Sequence, residues 1–130
     1  MAARREYRVP GQAEPISHFT DAVRAGELLF VSGIVPVDGN RELVGGDDVA
    51  EQARVVFANM REVLAAAGCT FADVVKVTVF LTDIDDRPLV NPVRQEVFGD
   101  TRPASTLVEV SALVIPGARI EVDAVALVPA

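Results

Sequence analysis

From Asp47 to Gly68 the chain carries its most constraining pattern. Val49, Ala53, Val56, Met60, Val63, Leu64 and Ala67 recur at steps of three and four residues, which lines them along one side of an α-helix. Asp47-Asp48 supply the polar start, and Gly68 supplies a stop that tolerates the left-handed cap conformation. A helix with one apolar stripe must lay that stripe on something, and the flanking segments offer a sheet.

Upstream, Phe19 to Val37 reads as two strands meeting at Ala25-Gly26-Glu27, the second (Leu28 to Ser32) almost wholly apolar. Downstream, VVKVTVFLTD alternates, with Val75, Val77, Val79 and Leu81 facing one way and Lys76, Thr78 and Phe80 the other. A weaker helix spans Pro88 to Phe98, and strands Ser105 to Leu113 and Arg119 to Val128 close the chain. The order β-β-α-β-α-β-β predicts an α+β layer fold, a mixed sheet with two helices on one face. The other face is also rich in apolar residues, among them Val108, Val110, Val125 and Leu127. Such a face needs a cover, and a second subunit is expected to supply it.

The 130 residues suit a single domain, 1–130, with residues 1–18 (Pro10, Gly11, Pro15) as an irregular N-terminal arm. A net charge of −7 and scattered basic residues argue against a nucleic-acid partner. No apolar run is long enough to span a membrane and no leader is apparent, so a cytoplasmic protein is expected. The lone Cys69 allows no internal disulfide. One histidine and one cysteine make no zinc site, and the carboxylates at 83–86 lack calcium-loop spacing. Gly45-Gly46 are not followed by the Lys-Ser/Thr of a phosphate loop. No metal and no cofactor are expected.

Taken together, LLFVSGIVPVDG, EQARVVFANMREVLAAAG, DVVKVTVFLTDIDD, LVN, RPASTLVEVSAL and IEVDAVA resemble, in order and spacing, the RidA/YjgF family, also labelled L-PSP endoribonuclease-like. The resemblance runs from about Phe19 to Val128. It implies a chorismate-mutase-like fold, a homotrimer whose sheets pack into a barrel, and clefts between subunits that take a small-molecule ligand. It further implies hydrolysis of imines and enamines to 2-keto acids and ammonia. That chemistry needs a cation for the substrate carboxylate and a group to manage protons at the imine carbon.

The family's arginine directly follows the Pro-Ala found here at Pro103-Ala104, and that position is Ser105, whose neutral hydroxyl cannot balance a carboxylate. The family's cleft tyrosine falls on Phe19 and an often-present cysteine on Leu107, while Ser32, Asn91 and Glu121 are retained. The expected substrate-binding residues are therefore Phe19, Ser32, Asn91, Ser105, Thr106 and Arg102, with Glu121 as the catalytic acid. Arg119 shares a face with Glu121 and is placed to pair with it, Arg94 lies near Asn91, and His18 precedes the cleft residue Phe19. Three functions follow. The first is a trimer binding a small polar metabolite and hydrolysing a substrate other than free amino-acid imines. The others are an imine/enamine deaminase with a relocated arginine such as Arg102, and a non-enzymatic sensing or protein-binding trimer.

Overall fold

A computed structural model describes residues 3–130. Its longest element, α1 (Val49–Ala66), starts where the sequence puts the cap. The Asp48 carboxylate accepts the backbone N–H groups of Ala50 and Glu51 at 3.0 and 3.2 Å. Gly68 follows the helix at φ 77°. The stripe from Val49 to Leu64 is fully buried, with Gln52 and Phe57 beside it. Asp48→Ala is expected to cost about 1 kcal/mol by leaving two helix-end donors to water, readable as a lower urea midpoint with an unchanged slope.

The strands are β1 (Arg4–Tyr7), β2 (Ala22–Ala25), β3 (Leu28–Ile34), β4 (Val74–Leu81), β5 (Ala104–Glu109) and β6 (Ile120–Leu127), with α2 (Arg87–Phe98) between β4 and β5. They form a single sheet in the order β1-β2-β3-β6-β4-β5, antiparallel except for β4 and β5. That parallel pair needs a crossover, which α2 provides. Both helices lie on one face, as the α+β reading requires. Arg4–Tyr7 corrects the expectation of a wholly irregular arm, because its backbone pairs antiparallel with β2, Arg4 opposite Ala25 and Tyr7 opposite Ala22. β5 also ends at Glu109, short of Leu113, since its only neighbour β4 ends at Leu81 opposite.

Under the helices lie Leu29, Val31, Val77, Val79, Leu81, Ile120, Val122, Ala124 and Ala126, all buried. Val75 departs from the expected alternation. The β4–β6 register shifts between Val74 and Lys76, so Val74 turns inward and Val75 is 45% exposed. On the far face Leu28, Phe30, Val108 and Leu127 remain open, between 37% and 48% exposed. Nothing among the described residues covers them.

Two devices fix the helices and the start of β6. Phe57 of α1, Phe71 and Phe98 of α2 meet edge-to-face with centroids 5.4–6.2 Å apart. Gln52, fully buried, donates to the carbonyls of Gly46 and Gly117 and accepts the Arg119 N–H at 2.7 Å. Arg119 then reaches both oxygens of the buried Asp86 at 2.8 Å and the Asp47 carbonyl. This corrects the expected Arg119–Glu121 pair: Arg119 turns toward the helix layer and leaves Glu121 free of it.

Candidate functional site

Glu121 sits where β6 crosses an irregularity in β3. The pairing shifts between Val31 and Ile34, and the extra backbone of Ser32-Gly33 bends away from the sheet. The Glu121 carboxyl occupies the space a side chain at Gly33 would need. A Cβ there would come within 2.9 Å of the carboxyl carbon, so any larger residue at 33 displaces the carboxyl from its present place. The carboxyl borders an open cavity of about 470 Å³ that also exposes Phe19, Ser32, Ile34, Val35 and Val114. Burial, with a smaller contribution from the Asp123 charge, pushes the Glu121 carboxyl above its ordinary range. It therefore holds a proton closer to neutrality than an ordinary glutamate, as acid–base work needs. Ser32 lines this cavity but donates its hydroxyl to the Thr20 carbonyl, leaving only its lone pairs for a ligand.

A second cavity, about 500 Å³, opens at the entrance to β5 and is lined by Asn91, Arg94, Gln95, Thr101, Arg102 and Pro103. Ser105 lies beside it and pairs with Val77, on the helix-covered face. Its hydroxyl accepts a 2.8 Å hydrogen bond from Nη2 of Arg94. Thr106, one residue on, faces the opposite side of the sheet and accepts from Lys76 Nζ at 2.8 Å. Ser105 and Thr106 thus do not share a pocket wall.

The residues singled out from the sequence fall into separate places. Phe19, Ser32 and Glu121 share the first cavity, Asn91 and Arg102 the second, and Thr106 the open face. Glu121 aligns with Phe80 and, through it, with Val108. Ser105 is two strands and three residues away, roughly 14 Å, and on the other face. No small ligand can touch both within one chain. His18 is exposed and Cys69 buried, with burial raising the thiol pKa away from reactivity. Among the described residues no group of three or more His, Cys, Asp or Glu could hold a metal ion, and no helix is long and apolar enough to cross a membrane. Of the arginines that the sequence offers as a relocated cation, Arg94, Arg102 and Arg119, it is Arg94 that reaches Ser105. The available signal was its spacing: Asn91, Arg94 and Gln95 fall on one side of a helix at steps of three and four.

A sheet with both helices on one face, an unfilled apolar second face and a half-buried carboxyl beside an open cavity define an α+β protein with a carboxyl-bearing pocket. The chain belongs to the Endoribonuclease L-PSP family, the RidA/YjgF group its motifs resemble, whose family model matches residues 11–128. It is 40% identical over 121 residues to the human 2-iminobutanoate/2-iminopropanoate deaminase, covering 92% of this chain and 85% of that protein. It is 38% identical over 116 residues to the 3-aminoacrylate deaminase RutC of Acinetobacter baylyi, covering 89% and 91%. The solved structure of the yeast protein YEO7 superposes with a TM-score of 0.92 at 30% identity, covering 98% of this chain and all of that one.

Proposed function

We propose that this chain is a hydrolytic deaminase of small imines or enamines, working in clefts between the protomers of a homotrimer. The observation that carries the reading is Glu121, half-buried, pushed toward neutrality and bordering a cavity large enough for a small organic acid. The names of the human and Acinetobacter relatives supply the substrate class. A Glu121 carboxylate takes a proton from water as the oxygen adds to the iminium carbon. It returns that proton to the carbinolamine nitrogen, then takes the hydroxyl proton as the C–N bond breaks, so ammonia leaves, a carbonyl remains, and the last proton passes on to ammonia or water. Two features support a shared interface of this kind. The exposed Leu28, Phe30, Val108 and Leu127 need a cover. The separation of Glu121 from the Ser105 edge is also resolved if the β5 edge of one protomer abuts the Glu121 cavity of the next. Such a cleft would take a small organic molecule in a protein whose net charge of −7 suits no RNA track.

The test generates 2-iminopropanoate in situ with an amino-acid oxidase and follows imine loss. The protein is expected to accelerate hydrolysis well above buffer, and to sediment at three times the chain mass. An imine decay no faster than buffer would remove the deaminase, and a monomer in solution would remove the shared cleft.

A further inference from the structure

We propose that Arg94, held in place by Ser105, is the cation that binds the carboxylate of the substrate. The hydroxyl at 105 and the guanidinium from α2 act as one unit. Arg94 is half-buried, and its single partner among the described residues is the neutral Ser105 oxygen. By contrast, Arg4, Arg8, Arg54 and Arg119 each meet a carboxylate. Burial without a compensating charge lowers the Arg94 pKa, although arginine stays protonated. The remaining N–H donors border a cavity whose other polar lining comes from Asn91, Gln95, Thr101 and Arg102, with no acidic side chain. A half-buried cation, fixed at one corner and unbalanced, is built to accept a planar monoanion through a two-bonded fork.

Ser105 supplies what a lysine or a water would not, a fixed acceptor on a paired strand that orients the guanidinium plane. It is a positioning residue, whereas Arg94 would touch the ligand. Arg102 lines the same cavity but is exposed and without a hydrogen bond among the described residues, so it adds long-range attraction only. The identity of the substrate rests on the deaminase reading; the carboxylate preference does not.

The experiment titrates the full-length protein with pyruvate, the keto-acid product analogue, and with pyruvamide, its uncharged counterpart. Wild type is expected to prefer pyruvate by at least tenfold. Arg94→Ala should lose that preference, with pyruvate weakened about 10- to 100-fold, while Arg94→Lys keeps part of it. Ser105→Ala should weaken pyruvate several-fold and Ser105→Thr should restore it. Arg102→Ala should change it less than Arg94→Ala. Thermal melts confirm folding, and Arg94→Lys covers the case in which Arg94→Ala does not fold. Unchanged pyruvate affinity in folded Arg94→Ala, or no preference for pyruvate in wild type, overturns the assignment. In turnover, the loss should appear mainly in KM for 2-iminopropanoate. If wild type turns the imine over and Arg94→Ala leaves KM unchanged, the deaminase stands and this assignment falls. If no imine is turned over yet pyruvate binding depends on Arg94, the reverse holds.

Discussion

Glu121→Gln is expected to lower kcat/KM for imine hydrolysis by about 10²- to 10³-fold while making the protein more stable at neutral pH. The loss follows from removing the half-buried carboxyl of the first cavity that pairs with no cation, since Asp21, which also lines it, is held by Arg8 and the Val9 N–H, and it lies within the usual range for a general acid–base. The gain follows from the direction of its titration. Burial and Asp123 raise the Glu121 pKa in the folded chain, so the fold binds this proton better than the unfolded chain does. Stability is full below the unfolded-state value and declines as pH rises through the folded-state value, in a window starting near the ordinary 4.5. Glutamine carries no charge and escapes that decline. The two proteins should unfold alike below the window, and the variant should melt higher above it. Wild-type kcat/KM should fall on its acid side at a pH above the ordinary glutamate value, because the base must be ionised. Gly33→Ala offers a second probe. The added methyl meets the Glu121 carboxyl, a flexible group that can shift, so the fold should survive and turnover should drop. An enzyme whose rate is unmoved by Glu121→Gln would take the proton chemistry away from this cavity.

Most of the layer architecture was legible because period governs it. The α1 stripe and the β6 alternation are each long enough to fix a face, and the structure keeps both. What was not legible is local and depends on partners distant in sequence. The run Arg4–Tyr7 carries three charged residues and reads as an arm, yet it becomes a strand because β2 presents an open edge. Val75 obeys the alternation in the sequence and breaks it in the sheet, because the register slips beside it. The candidate site shows the same limit. Adjacent residues such as Ser105 and Thr106 look like one polar patch in the sequence, but a strand sends them to opposite faces. That position 105 carries a neutral serine is read from one position. The Arg94 guanidinium that meets that serine comes from a helix eleven residues earlier, and no periodicity announces a contact made by a long side chain across a crossover.

Gln52→Leu is expected to be among the most damaging single changes in the fold, lowering stability by about 3–5 kcal/mol. Leucine fits the volume, and the position is fully buried on an apolar helix stripe, so pattern alone would favour it. The polar groups around it decide otherwise. Gln52 satisfies the Gly46 and Gly117 carbonyls and the Arg119 N–H, and leucine strands all three at about 1–3 kcal/mol each where water cannot reach. Against the ~5–15 kcal/mol that holds a domain of this size together, that is a large fraction. The consequence reaches the site as well. Arg119 N–H is the first anchored group of the strand that carries Glu121 two residues later, and its side chain clasps Asp86 at the head of α2. Loosening Gln52 therefore loosens both the carboxyl bordering the first cavity and the helix that bears Arg94. Urea unfolding at fixed protein concentration should show a lower midpoint with the slope retained. Asp86→Ala should lose about 2–3 kcal/mol through the same clasp, less than a fully buried pair because Arg119 keeps 27% side-chain exposure and its contact to Asp47. The double variant should lose less than the sum, since both changes release the same arginine. Strict additivity, or a Gln52→Leu protein as stable as wild type, would mean that the clasp does not tie the sheet to the helices.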